Sequence, residues 1–353
     1  MTKAENYLRA MDRRYPEWVP CWINLAYDTW MAHKDELKPI IARYPDLFEN
    51  APSLPDDLTA AMLPKPYALG TYTDSWGCVW ENAHTGAEGQ VVYSPLKDDS
   101  AFAAYKAPSL DIDDWGEPID WEARARGCAY WKEQGQNISM FGGRLFDRMY
   151  FLRGFNELMM DFGEENEYLT RVRDIVWDYQ RGLVQKWIDC GNIDELAFHT
   201  DFGTQTSTMI SPAHFRKYLK PMFADLFGMC KQAGIRVRLS SDGNIVPLAD
   251  DLAEAGVTAH DPQFRACGLE NIAHYYLGKI VILLDLDRQM FEFCTPQDID
   301  DQVRTSVGRL YRPEGGLMVF AWIHGNVPAA NIEAIAKAME KYCIQGIREK
   351  TAK

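Results

Sequence analysis

The sequence lacks any run of about 18 apolar residues, so it is not expected to cross a membrane as a helix. Residues 1–20 hold an Asp-Arg-Arg cluster and a proline but no apolar signal core, and export is not expected. The eight cysteines, at positions 21, 78, 128, 190, 230, 267, 294 and 343, include no C-x-x-C pair. That scatter argues against a disulfide framework or zinc ribbon and suits a reducing cytoplasm. Positive charge is scarce, with 37 Lys and Arg against 51 Asp and Glu and a net charge of −14. Binding to the phosphates of nucleic acid, which needs a basic face, is therefore not expected. No fixed-period repeat and no low-complexity linker divides the chain. No Gly-rich phosphate turn follows the first apolar strand, which argues against a doubly wound dinucleotide-binding sheet.

What the chain does have is a recurring grammar. Apolar runs end abruptly in titratable residues, with amphipathic helical patterns between them. Glu195 to Phe198 reaches His199-Thr200-Asp201, and Ile235 to Leu239 reaches Ser240-Ser241-Asp242-Gly243. Val257-Thr258-Ala259 reaches His260-Asp261, Ile280 to Leu284 reaches Asp285-Leu286-Asp287, and Leu317 to Ile323 reaches His324-Gly325. With Val19 to Ile23 and Asn137 to Phe141, these make seven strand candidates. The pattern predicts an α/β fold, a distorted (β/α)8 TIM barrel over residues 1–353 with an eighth strand hidden or irregular. From about residue 28 to 125 the rhythm is lost among Pro, Gly, Asp and aromatics. This irregular N-terminal insertion reads as a cap or docking surface rather than a spacer. Ser211 as N-cap with Pro212 at the first helical position starts one helix, and Pro221 inside it predicts a kink.

In such barrels the active site is built at the C-terminal ends of the strands. Only seven histidines occur, and His199, His260 and His324 all fall at such ends, whereas His33, His84, His214 and His274 do not. His199 and Asp201 are two residues apart, so an extended strand end points both to one side. They can form an acid/base couple, in which the carboxylate holds or charges the imidazole, or a metal chelate. The catalytic candidates are His199, Asp201, Asp242 and His324. Asp242, His324 and His199 are also candidate ligands of a Zn²⁺ ion with one open position. No local metal motif such as H-E-x-x-H supports that ligand set. Asp242 before Gly243 also reads as an ordinary turn residue.

Several short stretches, in order, resemble the uroporphyrinogen decarboxylase-like superfamily, which includes corrinoid-dependent methyltransferases. They are Asp74-Ser75-Trp76-Gly77 with Ser94-Pro95-Leu96-Lys97-Asp98, Leu152-Arg153-Gly154-Phe155-Asn156-Glu157-Leu158-Met159, and Thr200 to Gln205 with Met209-Ile210-Ser211-Pro212. Ser241-Asp242-Gly243-Asn244-Ile245, Leu286-Asp287-Arg288-Gln289 and Ala330-Asn331-Ile332 follow. The resemblance covers about residues 1 to 345 and implies a distorted (β/α)8 barrel. True decarboxylases carry an arginine-rich M-R-Q-A-G-R segment after the first strand. Here that place reads Trp22-Ile23-Asn24-Leu25-Ala26-Tyr27, with no Arg to pair substrate carboxylates. Thiol-methylating relatives carry H-x-C at the fourth strand end, with a Cys near the seventh. Here Ser240, Asp242 and His324 stand at those places, so zinc is either lost or held by oxygen and nitrogen.

The pattern is most similar to the methyltransferase components of corrinoid-dependent O-demethylases. The resemblance implies a methyltransferase that moves a methyl group from an aryl methyl ether to the cob(I)alamin of a separate corrinoid protein. Its partners would be that corrinoid protein and a small methoxylated aromatic substrate, with a homodimer as a candidate assembly. Tyr27, Met140, Phe141 and Trp322 are expected to line an apolar slot for the ring, with Gln205, Gln263 and Asp287 as further substrate contacts. Two alternatives remain at this level: a decarboxylase acting on a small carboxylated substrate, and a non-catalytic binding protein of a corrinoid system.

Overall fold

The computed structural model describes residues 1–351. Ten strands occur among them: β1 (Cys21–Leu25), β2 (Gly70–Thr73), β3 (Val79–Asn82), β4 (Gln90–Tyr93), β5 (Ser139–Arg144), β6 (Glu195–His199), β7 (Arg236–Ser240), β8 (Ala259–His260), β9 (Val281–Asp285) and β10 (Leu317–Ile323). All seven expected strands are present, as β1 and β5 to β10. No eighth strand of that series appears among the described residues. The fold is α/β, a distorted (β/α)8 barrel type with an irregular N-terminal insertion.

The chain forms two compact units. The first holds Met1–Leu69, Asn82–Glu88 and the described residues from Asp261 onward. In it, β1 pairs in parallel with β10, Leu25 opposite Ile323, and β10 pairs in parallel with β9, Leu317 opposite Ile282. All five residues of β9 are buried, as expected for a parallel strand covered on both faces. The helix Tyr27–Arg43 follows β1 directly. The irregular insertion therefore starts after residue 43 rather than at 28. Its buried side is sparse, with Thr29, Trp30, Leu37 and Ile40, and Pro39 interrupts it.

The second unit holds Gly70–Glu81 and Gly89–His260. In it, β5, β6, β7 and β8 pair in parallel in that order. A small sheet of order β2-β3-β4 carries an antiparallel pairing of Trp80 with Val91. The long helix Glu167–Cys190 is capped by Asn166, whose side chain accepts from Tyr168 N and Leu169 N. It buries Leu169, Val172, Val176, Val184 and Trp187 at steps of three to eight, one stripe facing the core. Ser211 caps the next helical segment by accepting from His214 N at 3.1 Å. The expected disturbance at Pro221 takes the form of a wider, π-type turn over Phe215–Leu219, just before the helix Lys220–Gln232. Proline has no N–H to give, and the loosened turn ahead of it absorbs that loss.

Candidate active site

Strands β5, β6 and β7 set side chains in three rows. Ser139, Glu195 and Arg236 are opposite one another, then Phe141, Ala197 and Arg238, then Arg144, His199 and Ser240. Alternation sends successive residues to opposite faces. One face carries Leu196, Phe198, Val237 and Leu239, all buried, with Phe198 against Phe227 at 5.1 Å between ring centroids. The other face is polar. Ser139 Oγ donates to Glu195 Oε1 at 2.6 Å, and Arg238 Nε donates to the same oxygen at 2.9 Å. The Phe141 ring meets His199 edge-on at 5.2 Å. Barrel strands usually carry Val, Ile and Leu on both faces. Here Phe141 is 42% exposed and the Arg238 side chain 25% exposed, so water reaches the polar face.

A bulge completes the last row. The β5–β6 register shifts between Phe141 and Gly143. Gly143 has φ +116°, and a Cβ there would lie 2.1 Å from Gln180 Oε1, so only glycine fits. The extra residue turns Arg144 onto the face that carries His199. Gln180 Nε2 holds the Arg144 carbonyl at 3.0 Å.

Beyond the strand ends, the loops lock together through their backbones. Leu145 N donates to His199 O at 3.1 Å, and Thr200 N to Ser240 O at 2.9 Å. Gly243 (φ +81°) packs against Gly203 so closely that a Cβ on Gly243 would lie 2.3 Å from the Gly203 carbonyl carbon. This crossing brings two expected site residues together: Asp242 N donates to Asp201 Oδ1 at 2.9 Å. Asp201 is half-buried, and Asp242 is exposed. Gln205 is exposed in a turn in which Thr204 Oγ1 accepts from Thr206 N and Ser207 N.

The charge state of His199 differs from expectation. Burial pushes its pKa down to about 3, and the guanidiniums of Arg144 and Arg238 push it the same way. The imidazole is neutral at pH 7, so of the arrangements that the spacing allowed, the one in which Asp201 charges it is not formed. His260 is a core histidine. It is fully buried, its Nδ1 lies 3.0 Å from Leu239 O, and burial lowers its pKa to about 4.

One acid was missed in the sequence. Asp147 stands in the first turn of the helix Phe146–Arg153 and is 1% exposed. Its Oδ2 accepts from Arg144 Nη1 at 3.3 Å, and its Oδ1 from Arg148 N at 3.2 Å. Burial raises its pKa to about 7, with Asp201 adding to the rise and Arg144 and Arg148 opposing it. Arg148 itself is held by Asp74 at 2.8 Å and Asp114 at 3.0 Å. Arg144, Arg238 and Asp147 carry no motif. A signal for the arginines was present, however, because Arg236-Val237-Arg238-Leu239 alternates where a doubly covered strand would be apolar throughout.

The other expected residues fall as follows. Met140 is in register with Leu196, on the face of β5 opposite Phe141, so strand alternation removes it from any slot that Phe141 lines. In the first unit, Trp322 stacks on His324 at 5.8 Å, and both are exposed at the end of β10. Next to them, Gly325 N donates to Asp28 Oδ2 at 3.0 Å. Tyr27 packs on Tyr67 at 5.2 Å. Asp287 is buried in an ion pair with Arg265, at 2.9 Å to Nε and 2.8 Å to Nη2. Gln263 bridges Asp285 through its backbone and precedes the short helix Phe264–Cys267. No group of three or more His, Cys, Asp or Glu side chains among the described residues stands in position to hold a metal ion. No described helix is long and apolar enough to cross a membrane.

No family model matches the chain, and no curated protein matches it. Solved structures do. A methyltransferase from Methanosarcina mazei matches with a TM-score of 0.68 at 14% identity, over 97% of this chain and 99% of that one. The YdhT protein from Bacillus subtilis matches with a TM-score of 0.42 at 13% identity, over 96% of this chain and 88% of that one. At its identity the first match shows a shared fold, in agreement with the distorted (β/α)8 barrel.

Proposed function

We propose that the chain is a methyltransferase that moves a methyl group from an aryl methyl ether to the cob(I)alamin of a separate corrinoid protein. The observation that carries this reading is the Phe141–His199 pair. An aromatic edge open to water stands against a neutral imidazole, at a strand end where barrel enzymes do their chemistry. The fold shared with a methyltransferase is consistent with it.

An ether oxygen leaves poorly unless the charge it gains is met as the bond breaks. The reduced corrinoid supplies the electron pair for the methyl carbon. The chain has to position the ring and stabilise the charge that stays on oxygen. Phe141 offers an apolar edge for the ring. A neutral His199 donates an N–H to the developing phenolate, and Arg144 and Arg238 give that position a positive field. Asp147 retains a proton near neutral pH, so it leaves more of the positive charge of Arg144 uncompensated than an ionised carboxylate would.

The test is to mix the chain with a methoxyarene and a reduced corrinoid protein and follow the corrinoid spectrum. His199→Ala is expected to slow turnover by about a hundredfold, the low end for a lost oxyanion donor. An unchanged rate in that variant would remove His199 from the mechanism. No reaction with any methoxyarene would overturn the reading as a whole.

A further inference from the structure

The helix Phe146–Arg153 starts just after Arg144, and the insertion grips it at three points. Cys78 Sγ donates to Phe151 O at 3.4 Å, and Arg153 Nη1 donates to Leu96 O at 3.0 Å and to Lys97 O at 2.9 Å. The third grip is ionic. Arg148 is 2% exposed, with its guanidinium 4.8 Å from the centre of the Trp76 ring. Its Nη1 donates to Asp74 Oδ2 at 2.8 Å and its Nη2 to Asp114 Oδ2 at 3.0 Å. Asp74, in the turn between β2 and β3, also accepts from Trp76 N at 3.0 Å, Cys78 N at 2.8 Å and Trp80 Nε1 at 3.0 Å. A buried ionic cluster of this kind adds little stability over apolar side chains of the same volume. What it does fix is position.

Asp147 and Arg148 adjoin in sequence, but their charged groups do not pair. Asp147 Oδ1 accepts the Arg148 backbone N–H at 3.2 Å, and its Oδ2 accepts from Arg144 Nη1 at 3.3 Å. The Arg148 guanidinium is taken by the two carboxylates of the insertion. We infer that Asp74 and Asp114 are positioning residues for the polar face: they hold the Arg148 guanidinium off Asp147, so that Asp147 stays with Arg144. A buried guanidinium that loses one carboxylate turns to another within reach, and Asp147 is the carboxylate next to it in the chain. The insertion thereby sets how much of the Arg144 charge faces the site, which a cap alone would not do. The inference rests on the methyl-transfer reading for the role of Arg144, but not for its test.

Urea unfolding of the full chain from about pH 4.5 to 9 compares each protein with its Asp147→Asn counterpart. The pH at which the difference levels off reports the Asp147 midpoint. In the otherwise unaltered chain that midpoint is near pH 7, where Arg144 and Arg148 lower it and burial and Asp201 raise it. Asp74→Asn should move it down by about one pH unit or more, as the freed guanidinium comes to bear on Asp147. Asp74→Asn combined with Arg148→Met should move it up instead, because Arg148 is one of the charges that hold it down. Opposite shifts from two disruptions of one buried cluster are not what loosened packing gives. Should Asp74→Asn not fold, Asp114→Asn, whose side chain is 20% exposed, is expected to give the same downward shift. A midpoint that is unchanged, or that moves the same way in both variants, would overturn the inference. A difference independent of pH in the unaltered chain would do so as well. Methyl transfer does not enter the readout, so failure of that reading and failure of this one are told apart.

Discussion

Replacing Asp147 with Asn should make the protein more stable at alkaline pH, and the gain should depend on pH in a defined way. The Asp147 carboxyl is 1% exposed, and its pKa rises from an ordinary 3.8 to about 7. The folded chain therefore holds this proton more tightly than the unfolded chain does. The stability that the group contributes is fully present below about pH 4 and is lost as pH rises through about 7. A rise of about three in pKa corresponds to on the order of 4 kcal/mol, which is an upper figure for a fully buried site. The attraction of Arg144 and Arg148 is already contained in that value. Asparagine has the shape of the protonated acid and cannot ionise. The variant should match the parent below about pH 4, gain about 1.4 kcal/mol for each pH unit above that, and level off beyond pH 7. Urea unfolding of both proteins at about pH 4.5, 6 and 8 reads the difference, because titrating groups remote from Asp147 cancel in the comparison. A difference that stays constant across that range would show that Asp147 is ionised throughout, and the proton assigned to it would be gone.

Two further outcomes follow from the same geometry. Of the seven imidazoles, those of His199 and His260 should show no titration by NMR between about pH 5.5 and 8, since their pKa values are lowered to about 3 and about 4. Their contribution to stability is present above about pH 6.5 and falls away with acid, and a titration of either near pH 6.5 would refute the burial argument. Gly243→Ala should cost about 3 kcal/mol, from a left-handed φ and a methyl group forced onto the Gly203 backbone. Unchanged thermal unfolding in that variant would mean that the loop crossing is not the constraint on Asp201 and Asp242.

The strands were legible in the sequence because burial in a parallel sheet leaves an apolar run with a sharp polar end. The run from Ile280 to Leu284 is the clearest, and β9 is buried along its whole length. The helix Tyr27–Arg43 was not legible, because four buried residues and an internal proline make a stripe too thin to read against Asp, Lys and Glu neighbours. Within the site, the pairing of Asp201 with Asp242 could be anticipated from the strand ends. The glycine crossing that brings their loops together could not, because it depends on two backbones touching across 40 residues. Met140 illustrates the converse. It neighbours Phe141 in sequence and looks like a partner in lining, but a strand sends adjacent side chains to opposite faces.

Charge states were the least legible feature, since they depend on burial rather than residue type. By composition, the histidine beside an aspartate should carry the movable proton and the aspartate should be ionised. Packing places the proton on a third residue instead. Two guanidiniums and a buried position keep His199 neutral, while a carboxyl behind Arg144 stays protonated up to about pH 7. For ether cleavage this division suits the chemistry better than the expected one. A neutral imidazole can donate a hydrogen bond to a developing phenolate without first losing an attraction to a carboxylate. A carboxyl that stays protonated up to about neutral pH leaves the positive field of Arg144 on the developing phenolate, and its ionisation weakens that field. A pH–rate profile for methyl transfer would then fall on its alkaline side near pH 7, as Asp147 ionises, and Asp147→Asn would remove that limb.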